Sequence, residues 1–326
     1  MSDTGGPIST VDYHTGGEPF RIVTGGVEPP TGETILDKRW DALERLDHVR
    51  RLLVYEPRGH ADMYGCFVVA PSNDEADLGV VFFHNAGYST ACGHGTIALV
   101  TWALDEGLVE RCEGETRVVV DVPSGRLETW ARVESGRVRS VRFRNVPAFV
   151  WATGLTAAGR TVDVAFGGAF YACLEERVEP GELPRLVDLG RKIKHALERE
   201  HEIVHPEQPE LRDVYGVVFW QHESDDPFAQ RNVTVFADGE VDRSPCGSGT
   251  SARLALLDAA RRLPRGEELV HRSIVGSEFR GRVVGSAEVA GVPAVVTEVE
   301  GSAHRTGEHV FELDPDDPLG EGFLLR

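Results

Sequence analysis

The sequence predicts an α/β protein built from two pseudo-symmetric halves, each a set of strands wrapped around one buried helix. Three observations carry that expectation. An eight-residue segment occurs twice, about half a chain apart. Each copy opens a run that is apolar on nearly every side. The segments around both runs read as short strands.

The repeat is Cys92-Gly93-His94-Gly95-Thr96-Ile97-Ala98-Leu99, matched by Cys246-Gly247-Ser248-Gly249-Thr250-Ser251-Ala252-Arg253. Five of the eight positions are identical: the cysteine, both glycines, the threonine and the alanine. Self-similarity at this distance is the mark of a duplicated unit. After the first copy, residues 97–104 form a helix-like run that stops at Gly107. After the second, residues 254–263 do the same and stop near Pro264. A helix apolar all round is a buried one. Residues 118–122, 127–133, 138–143, 217–220, 232–236 and 294–299 are β-branched or alternating, as strands are. Pro123-Ser124-Gly125 and Ser135-Gly136 supply turns between them. Leu186, Leu189, Ile193 and Leu197 mark one amphipathic helix.

Composition narrows the function classes. The 326 residues are 41% hydrophobic and 27% charged, as in an ordinary soluble globular protein of one large or two smaller domains. The net charge of −19, from 53 acidic and 34 basic residues, repels nucleic acid and anionic membranes. The polar start lacks a basic segment followed by an apolar one, and nothing approaches a spanning helix, so a cytoplasmic protein is expected. Five cysteines (Cys66, Cys92, Cys112, Cys173, Cys246) with no C-x-x-C pair argue against a disulfide framework or a cysteine zinc site, and point to reactivity.

The repeated turn has a chemistry of its own. A Gly-rich turn leading into a helix presents unpaired N–H groups and the positive end of the helix dipole, which suits a carboxylate or phosphate. The same field favours the thiolate of a cysteine at that position. Two such turns acting on one molecule would hold a carboxylate between two sets of donors, with a sulfur on either side. Inverting an amino-acid α-carbon needs that arrangement: one group removes the proton from one face and another returns a proton to the opposite face. Donors on the carboxylate stabilise the charge that builds there.

Other readings compete. A lone cysteine beside glycine is most often a small buried hydrophobe; two at equivalent repeat positions are not so explained. Gly93 to Ala98 and Gly247 to Ala252 fit G-x-G-x-x-A, but a dinucleotide site needs a strand running directly into the turn, and Pro245 opposes one. The twelve histidines are scattered. His201 and His205 have helical spacing, yet Pro206 predicts a solvated helix end rather than a metal site.

At Cys92-Gly93-His94-Gly95-Thr96 and Asp242-Arg243-Ser244-Pro245-Cys246-Gly247 the chain resembles the proline racemase family. His14-Thr15-Gly16-Gly17-Glu18, Glu56-Pro57-Arg58-Gly59-His60, Gly167-Gly168-Ala169-Phe170 and residues 314–325 extend the likeness over nearly the whole chain. The resemblance implies a fold similar to diaminopimelate epimerases, with the active site in the cleft between two domains, no pyridoxal phosphate or metal, and commonly a homodimer. It implies a first domain of residues 1–147 and 303–326 carrying Cys92, and a second of residues 148–302 carrying Cys246.

By that likeness Cys92 and Cys246 transfer the protons, and His94 and Asp242 engage the ring nitrogen of a proline-like imino acid. The amides of Gly93, His94, Gly247 and Ser248 hold its carboxylate. Ser248 stands where the family usually has threonine, which leaves the backbone donor intact. Phe236 matches an aromatic that packs on the pyrrolidine ring. Tyr64 sits where proline racemases usually carry phenylalanine, and its phenol either meets a substrate hydroxyl or merely replaces the ring. The dehydratase branch, acting on trans-3-hydroxyproline, is also similar, including at Asp62-Met63-Tyr64-Gly65, but usually has threonine in place of Cys246. The expected function is therefore cofactor-independent inversion of proline or hydroxyproline. Dehydration of trans-3-hydroxyproline, trapped as a ketone, is the first alternative. A silent small-carboxylate binder is the second.

Overall fold

The computed structural model describes residues 6–223 and 226–325; most of the polar start, residues 1–5, lies outside them. The chain divides into two compact units, Met1–Val141 with Ser302–Arg326, and Arg142–Gly301. The first unit runs through β1 (Ile8–Thr15), β2 (Glu18–Gly25), α1 (Ile35–Arg45), α2 (Asp47–Val54), β3 (Tyr64–Val69), β4 (Leu78–His84), β5 (Gly87–Tyr88), α3 (Gly93–Asp105), β6 (Gly114–Val122) and β7 (Gly125–Glu134). The strand β8 (Arg137–Arg144) carries the chain onward. The second unit contains β9 (Ala148–Ala157), β10 (Arg160–Phe166), β11 (Phe170–Glu175), α4 (Leu183–Glu200), β12 (Val214–His222), β13 (Ala229–Phe236), β14 (Glu240–Asp242), α5 (Gly247–Ala259), β15 (Leu269–Arg272), β16 (Glu278–Val289) and β17 (Val292–Gly301). The chain then returns to the first unit as β18 (Ala303–Phe311). Beyond it, Phe323 exchanges both backbone hydrogen bonds with Glu56.

In the second unit the strand pairings close on themselves, in the order β9, β10, β11, β12, β13, β15, β16, β17 and back to β9. Among the described residues of this unit, β11/β12 and β13/β15 are the parallel pairs. Parallel neighbours need a crossover. Here α4 makes the first and α5 the second. Residues 247–257 of α5 are all buried, and the helix packs on β9, β10, β11, β16 and β17. Alternation along the strands sorts the side chains. Phe170, Ala172 and Leu174 of β11 join the cluster under α4, whereas Tyr171 and Cys173 join Cys246 and Ala252 of α5. With both faces covered, β12 reads as a continuous apolar run, Val217-Val218-Phe219-Trp220.

The first unit follows the same plan. Its strands pair as β18, β1, β2, β3, β4, β6, β7, with β2/β3 and β4/β6 parallel at the corresponding steps. Helices α1 and α2 make one crossover and α3 the other, buried over residues 93–104. Thr34 and Asp37 form a capping box that starts α1. The six segments expected as strands all lie in strands, and Ser135 and Gly136 turn with positive φ at both positions.

Two expectations are corrected, and the apolar stripe expected for α4 holds with Gly190 added. The second run ends earlier than Pro264: α5 stops at Ala259 because Arg261 turns left-handed (φ 53°). Arg262 N–H then bonds the Leu257 carbonyl and Arg261 N–H that of Asp258, a Schellman ending. The end of α3 makes the same bonds, Leu108 to Ala103 and Gly107 to Leu104, with the usual glycine at the left-handed position. In α4 the buried stripe passes through Leu186, Gly190, Ile193 and Leu197, and Leu189 is only half-buried. A Cβ at Gly190 would lie 3.0 Å from Val235, so the glycine lets the helix approach β13. Finally, α4 ends at Glu200, and His205 is a buried turn residue. Its Nδ1 accepts from Glu207 and Gln208 N–H, and its ring packs on Phe149 and Phe166.

Among the described residues no helix is long and apolar enough to cross a membrane.

Candidate active site

Each repeated cysteine is the N-cap of a buried helix, and its sulfur does the capping. Cys92 Sγ accepts from Gly95 N–H at 3.3 Å, and Cys246 Sγ accepts from Gly249 N–H at 3.4 Å. The first intrahelical bonds run from Thr96 N to Cys92 O (2.9 Å) and from Thr250 N to Cys246 O (2.8 Å). The N–H groups of Gly93, His94, Gly247 and Ser248 belong to first turns and have no acceptor within their helices. The second glycine of each motif has a steric reason. A Cβ at Gly95 would lie 2.7 Å from Cys92 Sγ and 2.4 Å from Phe20 Cε2, and one at Gly249 would lie 2.9 Å from Cys246 Sγ. Any side chain there would push the sulfur off its N–H.

The short strands leading into both helices, β5 and β14, pair antiparallel with β4 and β13. A dinucleotide-type strand running straight into the turn is therefore absent from both. Asp242 to Cys246 instead forms nested turns: Ser244 N–H bonds Asp242 Oδ1 at 2.8 Å, and Cys246 N–H bonds Ser244 Oγ at 3.1 Å. These turns hold Cys246 at φ 63° and ψ 104°, a sparsely populated region that costs on the order of 1–3 kcal/mol elsewhere. Cys92, at φ −153°, is ordinary extended backbone.

The sulfurs have different neighbours. Around Cys92 the His94 ring lies with Nδ1 at 3.5 Å, and stands edge-on to Phe20 and Tyr64. Burial pushes the His94 imidazole down to about 3, so it is neutral at pH 7. Thr15 Oγ1, at the end of β1, donates to the His94 carbonyl at 2.9 Å. Tyr64 is buried, and its hydroxyl donates to Ser89 Oγ at 2.5 Å.

Around Cys246, Tyr171 Oη lies 3.7 Å from the sulfur and 2.6 Å from Ser248 Oγ. Tyr171 packs edge-on against Tyr215, which stacks on Phe236. Gly167, in the turn between β10 and β11, presses on the first turn of α5: a Cβ there would meet the Ser248 carbonyl at 2.3 Å.

Electrostatics correct one expectation. A helix start by itself favours a thiolate at each cysteine. At Cys246 burial, then the charge of Asp242, outweigh the Gly249 N–H and push the thiol up to about 12. Asp242 is itself raised to about 6, by burial that outweighs its bonds from Ser244, the bond from the Cys246 side chain and the Arg243 charge. Cys66 and Cys173 are also raised by burial, and all five cysteines are free thiols. Among the described residues no three His, Cys, Asp or Glu side chains are grouped to hold a metal ion.

Asp242 yields a stability prediction. Its pKa is higher folded than unfolded, so its contribution is fully present below about 3.8 and is lost as pH rises through about 6. At pH 7.5 the buried charge then costs on the order of 2–3 kcal/mol. Asp242→Asn, which keeps the acceptor for Ser244, is expected to be more stable than wild type by about that amount at pH 7.5 and equal to it near pH 3.5, by urea unfolding.

Comparison with known proteins decides the family. A model of the proline racemase family matches residues 10–324. This chain belongs to that family. It is 45% identical over 329 residues to a 3-hydroxyproline 2-epimerase of Burkholderia multivorans, covering 98% of each chain. It is 44% identical over 330 residues to a trans-3-hydroxy-L-proline dehydratase of Bacillus cereus, covering 97% of this chain and 98% of that one. A solved hydroxyproline epimerase from Agrobacterium vitis, with trans-4-hydroxy-L-proline bound, matches with a TM-score of 0.91 at 32% identity, over 98% of this chain and 96% of that one. A PhzF-family protein of Bacillus anthracis, at 14% identity and a TM-score of 0.60, shares the fold. As a proline racemase family member the chain is an enzyme of an isomerase family, and its relatives include both epimerases and dehydratases.

The candidate residues of the sequence are Cys92, Gly93, His94 and Tyr64 in the first unit and Phe236, Asp242, Cys246, Gly247 and Ser248 in the second. The structure groups Cys92, His94 and Tyr64 around α3, and Cys246, Ser248 and Asp242 around α5. Phe236 stands one ring removed, behind Tyr215. Ser89 and Tyr171 are not among those candidates; Tyr171 directly follows Gly167-Gly168-Ala169-Phe170.

Proposed function

We propose that this enzyme inverts the α-carbon of a hydroxyproline, with 3-hydroxyproline the leading substrate and proline a second, using Cys92 and Cys246 as opposed base and acid. The observation that carries the reading is the pair of cysteines capping two buried helices, each sulfur on the N–H of its second glycine. In this reading both helix starts reach one substrate, in a cytoplasmic homodimer that needs no pyridoxal phosphate or metal. The first-turn amides of Gly93, His94, Gly247 and Ser248 take the carboxylate, and His94 and Asp242 take the ring nitrogen. Tyr64 and Phe236 border the ring. Tyr64, whose hydroxyl donates to Ser89, is the side chain set to meet the substrate hydroxyl.

The electrostatics give the steps an order. The protonated ring nitrogen of the substrate supplies Asp242 with the counter-charge its burial demands. That neutralises the field holding the proton on Cys246. Cys92 as thiolate takes the α-proton, the bonding pair passes into the carboxylate held by the amides, and the Cys246 thiol delivers its proton to the opposite face. One S–H and one C–H bond break and one of each forms, with the thiol roles exchanged at the end.

The names of the relatives favour a second reading, dehydration of trans-3-hydroxyproline. There the same α-proton is lost and the 3-hydroxyl leaves as water. The resulting enamine rearranges to a cyclic imine, in equilibrium with an open-chain ketone. Incubation with trans-3-hydroxy-L-proline, trans-4-hydroxy-L-proline and L-proline, followed by chiral chromatography and imine trapping, tests both. The α-epimer as product supports inversion. Trapped imine without epimer replaces it with dehydration, and no change in any substrate overturns both.

A further inference from the structure

We infer that the Tyr171 hydroxyl, backed by Ser248, is a reversible hydrogen-bond partner of Cys246 that accepts from its thiol and donates to its thiolate. The geometry is a short file: Cys246 Sγ to Tyr171 Oη at 3.7 Å, and Tyr171 Oη to Ser248 Oγ at 2.6 Å, where either hydroxyl can be the donor. Ser248 Oγ lies 4.0 Å from the sulfur. All three side chains are buried, and Tyr171 is fully so. The Tyr171 ring is fixed edge-on by Tyr215, and its backbone by the parallel pairing of β11 with β12.

A thiol and a thiolate ask opposite things of a neighbour. With Cys246 protonated, S–H donates to Tyr171 Oη, and the tyrosine proton goes to Ser248. Once Cys246 has given its proton to carbon, the sulfur can only accept. Tyr171 O–H then turns to the sulfur, and Ser248 O–H turns to Tyr171 Oη. No proton moves along the file; two hydroxyls rotate. In an interior that strongly opposes a thiolate, Gly249 N–H and Tyr171 O–H are donors set to receive it, with the Thr234 hydroxyl a third. The first unit is built differently at the matching place, where the His94 ring lies against Cys92. Tyr171 is thus a positioning residue acting through Cys246. Ser248 matters here for its hydroxyl, beyond the amide that any residue would supply.

The kinetic half of this inference rests on the two-thiol reading, and the spectroscopic half does not. The S–H stretching band of Cys246 is assigned in the ligand-free protein by infrared difference against Cys246→Ser. In Tyr171→Phe that band is expected to move to higher frequency, because the S–H loses the phenol oxygen as acceptor, whereas a thiol bonded instead to the neighbouring Asp242 carboxylate would leave the band unmoved. Epimer formation is expected to fall roughly 10- to 100-fold in kcat, as for loss of one hydrogen bond to a charge, with KM changed little and the alkaline limb of the pH profile displaced upward. Ser248→Ala is expected to give a smaller displacement in the same direction, and Ser248→Thr, which restores the hydroxyl, to return it to wild type. An unmoved S–H band in both Tyr171→Phe and Ser248→Ala overturns the inference, as does a shifted band with kcat within twofold of wild type. If wild type inverts no imino acid, the function fails, while the band shift still decides the hydrogen bond.

Discussion

Cys246→Thr is expected to lose inversion by at least about 10³-fold while keeping exchange of the α-proton on the face served by Cys92. Removing a proton carrier from a carbon-acid reaction typically costs 10²–10⁴-fold, and a threonine hydroxyl is too weak an acid to deliver a proton to carbon on the catalytic time scale. The base on the other face is untouched by the change. Cys246 also carries strain at φ 63°, and a β-branched residue tolerates positive φ poorly, so the variant is expected to lose stability as well. The split between lost inversion and retained exchange separates the chemical effect from the structural one, because a misfolded protein loses both. Should this chain also eliminate water from trans-3-hydroxyproline, that activity is expected to survive in Cys246→Thr. The family branch with threonine at this position would then be explained: elimination needs one carbon-acid base, and inversion needs two proton carriers.

Cys92→Ser is expected to behave in the opposite way, losing inversion, exchange from the natural substrate and any elimination together, each by about 10³-fold or more. The serine hydroxyl can still accept from Gly95 N–H, so the cap and the helix start are retained. Unfolding midpoints should therefore stay within a few degrees of wild type while turnover disappears. Equal losses of exchange in Cys92→Ser and Cys246→Thr would mean that the two thiols are not divided between the faces.

The sequence carried much of this organisation because duplication is a local, countable signal. Two copies of Cys-Gly-x-Gly-Thr, each followed by a run apolar on every side, locate α3 and α5 and make their cysteines a pair. The strand segments were legible wherever β-branched residues cluster. Closure of β17 on β9 was not, since it joins strands more than a hundred residues apart by pairings that no local pattern encodes. The end of α5 is not legible because its left-handed position holds Arg261, where α3 has the glycine that announces a helix end. Tyr171 was hidden for a related reason: it lies 75 positions from Cys246, and only the inward register of β11 brings its hydroxyl to the sulfur.

The charge state of the thiols was least legible. A helix start lowers a thiol's pKa wherever it stands, but the size of the opposing burial depends on what packs around the sulfur. At Cys246 burial wins, with Asp242 adding to it. In the proposed mechanism a cysteine held protonated is ready to act as acid, and Asp242 matters twice, as the partner proposed for the ring nitrogen and as the charge that keeps the Cys246 proton in place until that partner arrives.

The most direct test of a two-thiol inversion is to run the wild-type enzyme on trans-3-hydroxy-L-proline and trans-4-hydroxy-L-proline in D₂O, following the α-position by proton NMR. The two-thiol account predicts that early product is the α-epimer carrying solvent deuterium at the α-carbon, while unreacted substrate still carries protium there, because the removed proton and the returned one belong to different sulfurs. Epimer that retains the original α-proton, or no exchange with either compound, would contradict it.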